Sequence, residues 1–256
     1  MTNLKNKVKY LLSNDNFNEI SMTALVGLLM LFQRFFTGIY KPVMDDWFLY
    51  GDLYTNVSDR LNYFAIPNEK FTIRPFAGIA DIFINAPLFK HLWIVELILT
   101  LSLLLGTYLI IKTLRRNKLG NTGFLLCLVC LCPVGLEATY WIAAATRVSY
   151  SILFIGGAIY FLDYYYKSQN YIGFTMFCIL GIFSVGFYEP AIVIYVILTL
   201  FVVWSNFKNK KDLIPAIIMI VHVAFIGIYY IINSGTGEIE SRGGIVDSNF
   251  LSHIIK

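Results

Sequence analysis

Charge is scarce in this sequence. Lys, Arg, Asp and Glu together supply 14% of its 256 residues, where a water-soluble domain carries about 25%, and the mean hydropathy is +0.66. So little polar surface cannot cover a particle of this size in water, which excludes a soluble domain. Cysteine is scarce too. Of the four, Cys127, Cys130 and Cys132 fall in one apolar run and Cys178 in another, so there is no exposed disulfide framework and no polar company for a thiolate metal site; they read as small packing residues. An internal repeat and a low-complexity tract are also missing. No small-residue cleavage site follows the first apolar run, so the N-terminal lysines lead into a retained helix and not a removable signal.

Long apolar runs are what the sequence has in abundance. Several approach the roughly 20 residues that cross a bilayer as a helix. Hydropathy predicts helices at Ile20 to Ile39, Leu92 to Ile111, Thr122 to Leu136, Val148 to Tyr164, Tyr171 to Tyr188, Ala191 to Trp204 and Leu213 to Ile232, seven in all. The predicted fold is therefore all-α, a polytopic transmembrane bundle of about seven spans. Residues 1–19 form a cytoplasmic segment and 20–232 the membrane domain, with an external loop over 41–91. Residues 233–256 form an external polar tail or the start of a further region, because Asn249 to Ile255 begins another apolar stretch where the chain stops.

The segment Pro75 to Lys90 decides the topology. If it does not cross, Lys5, Lys7 and Lys9, Lys112 to Lys118, Lys167 and Lys208 to Lys211 all fall on the cytoplasmic side, as basic clusters should. If it crosses, two of those clusters move outside. It also carries Asp81, Asn85 and Pro87, and a carboxylate at midspan is costly. A re-entrant or membrane-surface helix is expected there. In the same loop, Trp47 to Tyr54 has near-helical apolar spacing and reads equally as an interfacial helix and as an aromatic belt. Net charge of +4 reports this topology and gives no reason to expect nucleic acid.

With that orientation, Asp45, Asp46, Arg74, Glu137, Arg147 and Glu189 collect at the external ends of helices. Charges beside hydrocarbon are functional by default, although solvated helix ends would look the same. The adjacent Asp45 and Asp46 stand beside Trp47 and suit either proton abstraction from a hydroxyl or a divalent cation. Arg74 precedes Pro75, which can open a helix, and its guanidinium offers a fork of donors to phosphate. Glu137, Trp141 and Arg147 share a predicted short external turn that sets an acid, a stacking surface and a base together. Glu189 lies in Tyr188-Glu189-Pro190, another helix end, where capping is the competing explanation. His222, midway along the last helix, reads as a hydrogen-bonded neutral imidazole with no further role.

This order of features, a first helix, external Asp45-Asp46-Trp47, an amphipathic stretch, Arg74-Pro75, then Pro133 to Glu137 with Trp141 and Arg147, resembles the GT-C membrane glycosyltransferases. More narrowly, it resembles the bacterial polytopic glucosyl- and mannosyltransferase-like proteins that decorate surface polysaccharides in the cell envelope. The resemblance covers Ile20 to Pro190, and the chain is shorter than such enzymes usually are. It implies a plasma-membrane enzyme that transfers a sugar from a polyprenyl-phosphate donor to a glycan or lipid acceptor on the external face, with inversion. It implies Asp45 or Asp46 as the catalytic base and Arg74 and Arg147 as the donor-phosphate ligands. Trp47, Glu137, Trp141 and Glu189 would hold sugar or acceptor, with Mg or Mn as the candidate cofactor and membrane lipids as surroundings. Two other readings compete: a flippase or transporter of lipid-linked sugars, with Arg74, Asp81 and Glu96 lining a path, and a non-catalytic membrane assembly protein.

Overall fold

The computed structural model describes residues 15–36, 74–119 and 142–232. Among them there are helices and turns and no strand. Helix α1 spans Asp15–Phe36, α2 Pro75–Ala80, α3 Leu92–Arg116, α4 Ile142–Ser168, α5 Tyr171–Phe187, α6 Ala191–Asn206 and α7 Ile214–Ile232. A π-helical turn, Asp81–Asn85, extends α2, and short 3-10 turns at Phe89–His91 and Lys210–Leu213 lead into α3 and α7. The predicted helix Thr122 to Leu136 lies outside the described residues, as does the Trp47 to Tyr54 stretch.

Among the described residues, two helical segments, Phe89–Arg116 and Ala144–Ser168, are long and apolar enough to cross a membrane. The other apolar helices, Ile20–Phe32, Pro75–Asn85, Tyr171–Phe187, Ala191–Asn206 and Ile214–Tyr229, are shorter. At 1.5 Å per residue a 16- or 17-residue helix is about 25 Å long, a little under the roughly 30 Å of a hydrocarbon core.

Local sequence sets the helix ends. Pro75 occupies the first turn of α2, where its missing N–H is not needed. Asn170 caps α5, its side-chain oxygen accepting from the Ile172 N–H at 2.8 Å. Helix α3 runs five residues past the predicted Ile111, because Lys112, Leu114, Arg115 and Arg116 are good helix formers and the three cations suit a helix C-terminus. Helix α4 begins six residues before the predicted Val148. Arg147 therefore sits in its second turn and not in an external turn, a correction discussed below.

Helix α4 is the centre of the bundle, packed against α3, α5 and α6, with α7 against α5 and α6 and α1 against α3. Helices α3 and α4 run parallel, since Arg116 at the end of α3 meets Asp163 near the end of α4. Their backbones touch where two glycines face each other. A Cβ on Gly106 would lie 2.5 Å from the Ile152 carbonyl oxygen, and one on Gly156 would collide with the Gly106 backbone. Small residues at a crossing allow this close approach.

Polar groups lie inside this bundle among its apolar core, and its outer faces are apolar. Asp81, Glu96, Thr100, Thr146, Ser149, Ser151, Asp163, Ser184 and Thr199 are buried, while Val193, Ile197 and Trp204 of α6 and Ile217, Ile220, Phe225 and Ile228 of α7 are exposed. Helices α6 and α7 contain no Asp, Glu, Lys or Arg. Tyr195 and His222 meet between them, the hydroxyl 2.8 Å from Nδ1, so the one imidazole of α7 is hydrogen-bonded inside as expected.

Candidate functional site

The ion-paired groups divide between the two ends of the bundle. From Arg147 to Asp163 along α4 is about 24 Å. At the Asp163 end gather Lys112, Arg116, Asn117, Lys167 and Asn206; at the Arg147 end gather Arg74, Asp81, Asn85 and Glu189. The second group is the candidate site.

Two guanidinium–carboxylate pairs form it. Arg74, immediately before α2, donates from Nε to Glu189 Oε2 at 2.7 Å, and its guanidinium lies 5.1 Å from the centre of the Tyr188 ring. Glu189 and Pro190 form the turn between α5 and α6, so the pair ties the start of α2 to that turn. Arg147 donates from Nη2 to Asp81 Oδ2 at 3.4 Å. Asp81 is placed by the π-helical turn, in which its carbonyl accepts the Ala86 N–H at 2.8 Å in an i to i+5 bond. Such turns often occur at functional sites.

Asn85, buried one turn further, joins α2 to α4. Its Nδ2 donates to Asp81 Oδ1 at 3.0 Å and to Thr146 Oγ1 at 2.8 Å, and Thr146 in turn donates to the Ile142 carbonyl at 2.7 Å. Beneath the charges is an aromatic floor: Phe76 lies 4.5 Å from Phe183 and 6.0 Å from Phe187, and Tyr150 lies 5.4 Å from Phe187. Phe76 fits because Gly186 carries no side chain, since a Cβ there would strike the Phe76 ring. The Pro75 to Lys90 segment is thus a short helix and turn folded onto the bundle. Its Ala77, Gly78, Ala80 and Asp81 face inward, while Ile79 and Phe83 are exposed.

Of the residues singled out in the sequence, the structure brings Arg74, Arg147 and Glu189 to one end. Asp45, Asp46, Trp47, Glu137 and Trp141 lie outside the described residues. One expectation changes. Arg147 belongs to α4 and not to a turn shared with Glu137 and Trp141. Both arginines, expected to face a donor phosphate, are already engaged by carboxylates, and Glu189, expected to hold an acceptor, is the partner of Arg74. Asp81 entered the sequence reading as a cost; it is buried because Arg147 and Asn85 compensate it. Asn85 and Thr146 were not anticipated as a bridge. Nor was Asp163, whose i, i+4 spacing to Lys167 was the available signal.

The described carboxylates do not suit a divalent cation. Among the described residues no three of His, Cys, Asp and Glu come together, and Asp81 and Glu189 each already face a guanidinium. Arg74, which meets Glu189 through Nε, has further N–H groups with which to meet an anion. The chain has no match among protein-family models, curated proteins or solved structures.

Proposed function

We propose that the chain is a polytopic membrane glycosyltransferase of GT-C type, which takes a sugar from a polyprenyl-phosphate donor and passes it to a glycan or lipid acceptor at the external face of a bacterial plasma membrane. The observation that carries this reading is the convergence of Arg74 and Arg147 at one end of the bundle, each oriented by a carboxylate, over an aromatic floor. Two oriented guanidinium groups at a lipid–water boundary suit a leaving phosphate, whose developing charge they would stabilise. Asp45 or Asp46 would deprotonate the acceptor hydroxyl, which attacks the anomeric carbon with inversion as the C–O bond to phosphate breaks. Trp47 and Trp141 would pack on sugar rings, with Glu137 orienting the acceptor.

The membrane part of the proposal, seven spans with a cytoplasmic N-terminus, draws on three features. Buried polar groups inside apolar outer faces suit a lipid solvent, in which polar groups must find partners internally. Lys112, Arg115 and Arg116 of α3, Lys167 of α4 and the lysines of the α6–α7 turn share one end, as cytoplasmic basic residues should. Helices α3 and α4 run parallel, as two spans do when one further crossing separates them, in keeping with the seven-span count read from the sequence.

The test is transfer from a radiolabelled polyprenyl-phosphate sugar in membranes holding the full-length chain, comparing wild type with Asp45→Asn and Asp46→Asn. Loss in one variant at equal expression supports the enzyme; equal transfer in both removes these carboxylates from the mechanism. A second reading, transport of lipid-linked sugars, is favoured by the buried, ion-paired Asp81 on the short apolar helix Pro75–Asn85, since carboxylates at membrane depth mark substrate and ion paths. It predicts donor translocation into vesicles that survives Asp45→Asn and Asp46→Asn but fails in Asp81→Asn.

A further inference from the structure

At the opposite end of the bundle, α3 carries Lys112, Arg115 and Arg116, the turn after it Lys118, and the end of α4 adds Lys167, against a single carboxylate in residues 112–118 and 163–168, Asp163. Asp163 is fully buried and is taken by Lys167 at 2.8 Å, Arg116 at 3.3 Å and the Asn117 amide at 2.8 Å. Lys112 is left to aromatic groups. Its ammonium is half-buried, donates to the Tyr108 hydroxyl at 3.3 Å, and lies 5.3 Å from the Tyr108 ring centre and 5.7 Å from that of Tyr160, over which Arg116 also sits at 5.4 Å. Among the described residues, Lys112 pairs with no carboxylate.

The helix below Lys112 continues the pattern. Leu101, Leu105, Tyr108 and Lys112 follow one another at spacings of four, three and four, so they form one stripe on α3. Leu101 and Leu105 are exposed. From Leu101 to Lys112 the stripe is about 16 Å long, half of the roughly 30 Å hydrocarbon core. An apolar track of one leaflet's depth, ending in a phenol hydroxyl, an ammonium and a neighbouring guanidinium, has the shape and charge of a site for a lipid with a negative headgroup.

We propose that the Leu101–Lys112 face of α3 binds one anionic phospholipid, its acyl chain along Leu101 and Leu105 and its phosphate on Lys112, Tyr108 and the exposed edge of Arg116. Basic pockets between helices at the cytoplasmic border take phosphate headgroups in this way. The proposal rests on the bilayer reading of the fold and is independent of glycosyl transfer.

The experiment is the melting temperature of the detergent-purified full-length chain, titrated with phosphatidylglycerol, phosphatidylcholine or inorganic phosphate. Lys112→Gln, Lys112→Arg and, as a control, the exposed Lys210→Gln are compared with wild type. Phosphatidylglycerol should raise the melting temperature of wild type, Lys112→Arg and Lys210→Gln alike. Lys112→Gln should need roughly fivefold more lipid for the same shift. Phosphatidylcholine and inorganic phosphate should do little. An unchanged titration in Lys112→Gln would overturn the proposal. So would an equal loss in Lys210→Gln, which means diffuse attraction, or an equal shift with inorganic phosphate, which means a free-anion site. Resistance of the wild-type chain to alkaline extraction from membranes reports the bilayer reading separately.

Discussion

Arg147 and Asp81 stand 66 residues apart in the chain, yet their side chains meet inside the bundle, Nη2 to Oδ2 at 3.4 Å. Each explains the position of the other. Asp81 could not be buried in a short apolar helix without a cation, and Arg147 could not stand in the second turn of α4 without an anion. The pair holds the Pro75–Asn85 segment onto α4, and with it the start of the loop helix that carries Arg74.

Removing one partner should therefore cost more than removing both. Asp81→Asn leaves Arg147 charged and largely buried, and a loss of about 3 kcal/mol is expected. Asp81→Asn combined with Arg147→Gln, which leaves two neutral hydrogen-bonding groups, should recover part of it. Thermal melts of the full-length chain in detergent test this. A single variant that melts like wild type would show that the pair does not hold the segment in place.

The α3–α4 crossing gives a prediction that needs no charge. Gly156→Leu puts a side chain into the Gly106 backbone and should separate the two helices, seen as loss of monodisperse protein on size exclusion. Gly227→Ala is the contrasting change, because a Cβ there meets nothing within 4 Å. It should leave yield and melting unchanged or slightly improved, since Ala is the better helix former by roughly 1 kcal/mol. Equal behaviour of the two variants would mean that the glycine contact does not organise the bundle.

Hydropathy made most helix starts legible. Leu92, Tyr171 and Ala191 begin helices where apolar runs begin, and α7 starts one residue after the predicted Leu213. It failed where a helix end is polar. The first turns of α4 contain Thr146 and Arg147, which resemble a loop in a window of hydropathy, and only contacts with Asn85 and Asp81 show why they remain helical. The same limit applies to the candidate site. That Arg74, Arg147 and Glu189 share one end could be read from the alternation of basic clusters. Which acid each arginine would take could not, because pairing depends on how the Pro75–Asn85 segment folds back, and periodicity carries no such information.

Asp212, in the turn before α7, offers a pH test outside the helices. Its Oδ2 accepts the Lys208 and Asn209 N–H groups at 2.8 Å each. Foremost the Asn209 bond, then that of Lys208, hold its carboxyl below the ordinary value of 3.8. A carboxyl lowered on folding adds stability that is present above the unfolded value and lost as pH falls through the folded one. Asp212→Ala should then be less stable than wild type at pH 7 and at pH 5, with the difference closing below pH 3.8. Melts of both proteins across that range decide it; a gap that persists at the acid end would assign the effect to packing.

Arg74 distinguishes a structural ion pair from a phosphate ligand. The pair with Glu189 is partly exposed, the side chains 20% and 27% accessible, so its loss should lower stability by about 1 kcal/mol or less. If the guanidinium also stabilises a leaving phosphate, Arg74→Gln should reduce sugar transfer by about a hundredfold, the scale of removing one oriented donor from a developing oxyanion. Lys at this position keeps the charge but loses the planar fork that meets Glu189 through Nε while presenting other N–H groups to a ligand. Arg74→Lys should therefore restore melting more fully than transfer. Glu189→Gln, which leaves the arginine in place and loosens its orientation, should fall between wild type and Arg74→Gln in transfer at nearly unchanged melting temperature. If transfer followed melting across all three variants, Arg74 would be a strut between the α2 start and the α5–α6 turn, and the phosphate role would pass to Arg147 alone.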